Sequence, residues 1–253
     1  MVKSMFKSKI QKISEKNKSR IVLALDLIEK RKEKLLKRSF DLIERLSSLI
    51  CAVKINRHLV LPLGLSDGVK KIVKFIHSFD LPVIIDCKIN DIGSTNFVIA
   101  KNYFNAGFDA LTANPLVGLD DGLKPVLNLA HNKGKGVITV VYMSHKGAEE
   151  FYEKKILEKD KLKPQYIAFA EKSLEWNVDG VIVGATRPEK IGEIKRILKE
   201  KIPIYSPGIG FQGGKIEEAV KMGSDFLIVG RTIINAKNPV REAEKIRKTL
   251  LKL

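Results

Sequence analysis

Cysteine is scarce. The 253 residues hold two, Cys51 and Cys87, each inside an apolar run. That argues against a disulfide framework and leads us to expect two buried free thiols in a reducing compartment. No Cys/His cluster has the spacing of a metal site. Long hydrophobic runs are also missing. The first twenty residues, MVKSMFKSKIQKISEKNKSR, are basic but lack the continuous apolar segment of a signal peptide or membrane span. We expect a soluble cytoplasmic protein without a membrane partner. Aromatic residues are few, at 7%, and form no RNA-binding motif or recognition-helix signature, so no nucleic-acid partner is expected. Acidic residues fall short of basic ones, 29 against 46, for a formal net charge of +17. The lysines are spread along the chain. A diffuse basic surface of this kind draws in small anions without implying a polyanionic partner.

What is present is a regular beat. Eight short β-branched runs recur: IVLAL (21–25), CAVKI (51–55), PVIID (82–86), DALTA (109–113), GVITVVY (136–142), DGVIVG (179–184), IPIYS (202–206) and DFLIVG (225–230). They lack strict alternation, as strands buried on both faces do. Helical patterns lie between and after them, at 35–49, 66–79, 95–107, 122–134, 164–176, 187–200, 215–223 and 238–253, with apolar residues three and four apart. Ser66 is placed as an N-cap, and Gly107, Gly134 and Gly223 as C-caps. This alternation in a chain of this length predicts an α/β fold, a (β/α)₈ TIM barrel over residues 21–253. An open doubly wound sheet is the alternative, but its first strand is usually followed by glycines; here Asp26-Leu27 follows. Residues 1–20 form a basic N-terminal extension, either a helix over the barrel floor or a loose arm. The longest connection, 144–163, follows the fifth strand on the face where barrels keep their chemistry.

Polar residues gather at the C-terminal ends of these strands. Strand one ends in Asp26, strand two in Lys54 and Asn56. Strand three carries Asp86 and Lys88, with Asp91 just beyond, and strand five leads into Ser144 and His145. In a barrel these positions converge on one mouth, where they read as catalytic. Asp86 and Lys88 are two apart, so on an extended chain they point the same way. With Lys54 and Asp91 they form an alternating set of acids and bases. A salt-bridge network closing the barrel top would also explain four such charges, but beside an anion site they more often serve a substrate. The anion site is read from SPGIGFQGG (206–214) and VGRT (229–232), two glycine-rich turns at the usual phosphate position, one carrying Arg231. In GATRPEK (184–190), Thr186 and Glu189 have capping-box spacing, so Arg187 is read as a helix start in preference to a ligand contact.

The run DCKINDIGSTN (86–96) resembles the Asp-x-Lys-x-x-Asp-Ile-x-x-Thr signature of the orotidine 5′-phosphate decarboxylase family. LALDL, AVKIN, MSHKGA, SPGIGFQGG and VGRT follow in that family's order, and the resemblance, closest to the compact archaeal form, covers roughly residues 20–252. The signature is shared by magnesium-dependent sugar-phosphate decarboxylases and aldolases on the same barrel. Those relatives carry a glutamate where this chain has Lys54. Gly93-Ser94 and Phe211 fall at positions that vary in the family.

The resemblance implies conversion of orotidine 5′-phosphate to uridine 5′-phosphate and CO₂ in pyrimidine biosynthesis, without metal or organic cofactor. It makes Lys88 the proton donor, with Asp86, Lys54 and Asp91 as its catalytic partners. Asp26, Lys54 and Thr95 take the place of ribose contacts, and Ser144 that of the group reading the pyrimidine edge. Gln212, Gly230 and Arg231 take the place of the phosphate grip. Pro207, Gly208, Gly210, Gly213 and Gly214 belong to its closing loop. Asp91, Ile92 and Thr95 would reach into a neighbouring subunit, so the resemblance implies a homodimer with shared sites. The alternatives are the magnesium-dependent sugar-phosphate activity and a non-catalytic basic barrel that binds phosphate or nucleic acid.

Overall fold

A computed structural model describes residues 5–158 and 160–253. In chain order the elements are α1 (Met5–Asn17), β1 (Ile21–Ala24), α2 (Lys32–Leu46), β2 (Ala52–Asn56), α3 (Arg57–Leu63), α4 (Lys70–His77), β3 (Val83–Ile89), α5 (Gly93–Asn105), β4 (Ala110–Ala113), α6 (Lys124–Asn132) and β5 (Gly136–Tyr142). They continue as α7 (Glu149–Tyr152), β6 (Lys155–Glu158), β7 (Lys161–Pro164), α8 (Gln165–Glu175), β8 (Gly180–Val183), α9 (Pro188–Leu198), β9 (Ile204–Pro207), α10 (Ile216–Lys221), β10 (Phe226–Val229), α11 (Arg231–Ile234) and α12 (Pro239–Leu250). Eight strands close into a parallel barrel in the order β1-β10-β9-β8-β5-β4-β3-β2, while β6 and β7 form a separate antiparallel hairpin. The fold is the (β/α)₈ barrel expected from the strand beat.

The barrel strands are mostly apolar, apart from the charged residues of β2 and β3, because barrel side chains face either the packed interior or the surrounding helices. Residues of β1, β4, β5, β8 and β10 are all buried. The helices bury one stripe each: α2 buries Leu35, Leu42, Ile43 and Leu46 and turns its charged residues outward. Gly107, Gly134 and Gly223 follow α5, α6 and α10 with positive φ, as expected of C-caps.

Three aspartates read from sequence as strand residues stand one residue before their strands. Asp109 accepts the Val83 N–H at 2.9 Å, Asp179 that of Val137 at 2.8 Å, and Asp225 that of Ile204 at 2.8 Å. Each carboxylate clamps the beginning of a neighbouring strand, a fixed acceptor for an N–H that the barrel floor would otherwise leave bare. Ser66 is a correction. It lies inside a π-helical turn (Gly64–Val69) that runs directly into α4, and no side chain caps that helix. Helix α3, with Pro62 inside it, ends at Leu63 and the π-helical turn follows at Gly64, so Ser66 stands within helical backbone and not ahead of it.

The N-terminal extension is helical from Met5 to Asn17. Phe6, Ile10 and Ile13 of α1 are buried, four and three residues apart, in the same core as the barrel strands. Lys9 reaches Asp109 at 3.4 Å, which places the helix at the floor. Gly136 makes room for it, since a Cβ there would stand 2.5 Å from the Phe6 ring. Phe6→Ala should therefore cost about 3 kcal/mol of unfolding free energy, the usual range for emptying a buried aromatic site. Denaturant titration measures this, and KM should stay unchanged because the floor is remote from the mouth.

Candidate active site

The C-terminal strand ends surround a cavity of about 230 Å³. Asp26, Lys54, Asp86, Lys88, Ser144, Pro207, Gly208, Gln212, Gly230 and Arg231 all line it. At its heart is a chain of opposite charges. Lys54 Nζ lies 3.9 Å from Asp26 Oδ1 and donates to Asp86 Oδ2 at 2.9 Å. Lys88 Nζ donates to Asp86 Oδ1 at 2.6 Å, and Thr112 Oγ1 donates to the same oxygen at 2.9 Å.

Burial alone would raise the Asp86 carboxyl, but Lys54 and Lys88 beside it hold it well below the usual carboxylate range. Burial would likewise lower the ammonium of Lys54, only 5% exposed, but Asp86 and then Asp26 raise it above its ordinary value. The site thus keeps its charges separated instead of neutralising them. Asp26 Oδ1 is buried without a hydrogen-bond donor, with the Lys54 ammonium 3.9 Å away. Cys87, beside the charged chain, is pushed by burial up to about 12 and stays a thiol.

Asp86 and Lys88 meet for a different reason than plain strand alternation. The β3–β4 register shifts between Ile85 and Ile89, and Lys88 has φ +45°. The strand bulges here, and the bulge brings the two side chains together.

The remaining rim comes from β5, β8, β9 and β10. Ser144 follows β5 and is pressed against Gly184, where a Cβ would lie 2.6 Å from Ser144 Cα. Thr186 Oγ1 donates to Ser144 O at 2.9 Å. The expected Thr186–Glu189 capping box is therefore not formed; Arg187 is the N-cap of α9, and its guanidinium pairs with Glu149. After β9 the glycine loop folds on itself, with Gly210 N–H to Gly214 O at 2.9 Å and Gly214 N–H to Gly208 O at 3.0 Å. Gly210, Gly213 and Gly214 shape this loop from outside the cavity lining, while Gly208 and Gln212 face in. Arg231 lies 3.8 Å over the Phe211 ring. Stacking occupies the face of the guanidinium and leaves its in-plane N–H groups for an anion.

Asp91, Ile92 and Thr95 do not line the cavity of their own chain. Asp91 and Ile92 are exposed on the turn into α5, and Thr95 is half-buried. Sequence reasoning missed Thr112 and Phe211. Thr112 sits inside an apolar strand run with no charge to mark it, and Phe211 reads as a loop residue. Among the described residues, no group of three or more His, Cys, Asp or Glu could hold a metal ion, and no helix is long and apolar enough to cross a membrane.

The Orotidine 5′-phosphate decarboxylase / HUMPS family profile matches residues 19–246. This chain belongs to that family. Among curated relatives, orotidine 5′-phosphate decarboxylase of Pyrococcus horikoshii is 40% identical over 225 residues, 89% of this chain and 95% of that one. The Thermococcus kodakarensis enzyme of the same name is 36% identical over 235 residues, 93% and 98% of the two chains. Among solved structures, orotidine 5′-monophosphate decarboxylase of Methanocaldococcus jannaschii, complexed with the inhibitor BMP, superposes with a TM-score of 0.77 at 33% identity, covering 92% of this chain and 98% of that one.

Proposed function

We propose that this family member decarboxylates orotidine 5′-phosphate to uridine 5′-phosphate and CO₂, as a carboxy-lyase of pyrimidine biosynthesis in the cytoplasm. The observation that carries the reading is the Asp26–Lys54–Asp86–Lys88 chain in the same cavity as Gln212, Gly230 and Arg231. The bond between the pyrimidine ring and its carboxylate breaks, CO₂ leaves, and the electron pair stays on the ring carbon. The Lys88 ammonium stands where that negative charge develops, stabilises it and delivers a proton to the carbon. Asp86, held as a carboxylate, faces the substrate carboxylate. Two such charges at ~4 Å repel by roughly 4 kcal/mol at an effective dielectric of 20, and departure of CO₂ relieves this.

The partly exposed Asp26 carboxylate at the cavity wall suits a ribose hydroxyl, with Lys54 beside it. Ser144 meets the pyrimidine edge, and Gln212, Gly230 and Arg231 take the phosphate beneath the loop 207–214. Binding energy from that remote phosphate holds the loop shut and orients the ring. The active unit is a homodimer in which Asp91, Ile92 and Thr95 complete the neighbour's site. Exposed apolar residues next to Asp91 support it: Ile92 is 67% exposed, and Phe97 and Val98 open onto solvent from α5.

The sugar-phosphate reading needs a magnesium ion held by carboxylates at the mouth. Here Lys54 brings an ammonium within 3.9 Å of Asp26 and 2.9 Å of Asp86. A second cation between the same groups would be repelled. Purified enzyme with orotidine 5′-phosphate in excess chelator should lose orotate absorbance at the same rate as with added magnesium. Turnover that appears only with magnesium, or none at micromolar enzyme, would overturn the assignment.

A further inference from the structure

Strands β3 and β4 are paired at Ile84/Ala110 and Ile85/Leu111, then again at Ile89/Ala113. Between these points Asp86, Cys87 and Lys88 face a single residue of β4, Thr112. The two surplus residues must leave the ladder, and the chain does so through the left-handed backbone of Lys88. A residue with a Cβ adopts that conformation only where its surroundings impose it.

Thr112 is the group that imposes it. The Lys88 backbone N–H donates to Thr112 Oγ1 at 2.9 Å, and the same hydroxyl donates to Asp86 Oδ1 at 2.9 Å. The directions are fixed: an N–H can only donate and a carboxylate can only accept, so the hydroxyl proton points at Asp86. The Cys87 thiol closes the back of the bulge on the Thr112 carbonyl at 3.4 Å. Thr112 itself is fully buried, at 0% exposure. One hydroxyl thus ties together both ends of the bulge that carries the acid and the base.

We propose that Thr112 is a positioning residue for decarboxylation, its hydroxyl locking the bulge so that Lys88 and Asp86 keep one relative placement. This rests on the reading of Lys88 as proton donor. Loss of the hydroxyl frees the Lys88 backbone and removes one of three donors on Asp86, while Asp26, Gln212 and Arg231 are untouched. The damage therefore falls on kcat and spares KM.

Thr112→Val keeps the shape and deletes the hydroxyl; Thr112→Ser keeps the hydroxyl and deletes a methyl. Thr112→Val should lower kcat about 10- to 100-fold, what one hydrogen bond to a charged group is worth, with KM within about threefold. Thr112→Ser should restore kcat to within about threefold of the parent. A role in packing alone predicts the reverse order, with valine near the parent and serine impaired. Parent-like kcat in Thr112→Val, or serine no better than valine, overturns the inference. Should valine not fold, Thr112→Ala against Thr112→Ser makes the same comparison. Lys88→Ala, assayed in parallel, separates the two levels. An active Lys88→Ala sinks the donor reading itself, whereas an inactive one beside a normal Thr112→Val sinks only the role of Thr112.

Discussion

Lys88→Ala should remove at least about 10⁴-fold of turnover, the combined scale of a lost general acid and a lost charge at the reacting carbon. The structure says why the loss should be specific. Asp86 keeps two of its three donors, Lys54 at 2.9 Å and Thr112 at 2.9 Å, so its carboxylate is not stranded and the barrel should still fold. The groups proposed for phosphate and ribose, Arg231, Gln212 and Asp26, come from outside β3, so uridine 5′-phosphate should still bind measurably. Loss of orotate absorbance reads the first effect and product titration the second. A variant that keeps more than about a tenth of parental turnover would show that another group delivers the proton.

Much of this site is legible in the sequence because barrels place chemistry at strand ends, and strand ends are easy to find. Asp26, Lys54, Asp86, Ser144, Gly208, Gln212 and Arg231 all lie at or just beyond the ends of apolar runs, and all line one cavity. What the sequence hides depends on register. The spacing of Asp86 and Lys88 looks like ordinary two-residue alternation, and the bulge between Ile85 and Ile89 emerges only when β4 is laid beside β3. For the same reason Thr112 carries no signal: a threonine in a buried strand is commonplace, and its partner lies 26 positions away. Helix starts mislead where tertiary contacts outbid local ones. Thr186 has the spacing of a cap, but its hydroxyl goes to Ser144 O, fastening the β8 loop to the β5 loop. The long connection after β5 stands out by its length. Its β6–β7 hairpin does not, since Lys155–Glu158 and Lys161–Pro164 have too few β-branched residues to announce strands. Residues 1–20 leave two readings open in the sequence. The spacing of Phe6, Ile10 and Ile13 is that of a helix with one apolar face, and the barrel floor supplies the surface that face needs.

Mixing Lys88→Ala chains with Asp91→Ala chains should recover activity that neither has alone. Asp91 lies outside its own cavity, and the turn that carries it is braced. Asn96, 0% exposed, accepts the Asp91 N–H at 3.1 Å, donates back to the Asp91 carbonyl, and donates to Gly122 O at 3.3 Å. A turn held this way presents Asp91 and Ile92 outward as fixed groups, a geometry that serves another copy better than its own site. If the sites are shared across a two-fold axis, each mixed dimer contains one complete site and one that lacks both residues. Random exchange at equal concentrations makes about half of the dimers mixed, so about one quarter of parental activity should return. If Asp91 instead acts within its own chain, every site in the mixture lacks one residue and activity stays at the level of the two variants. Subunit exchange must be verified independently, for example by native mass spectrometry of differently tagged chains. With exchange verified, the absence of recovery would place Asp91 outside the neighbour's site and leave the exposed Ile92, Phe97 and Val98 as a surface without a catalytic purpose.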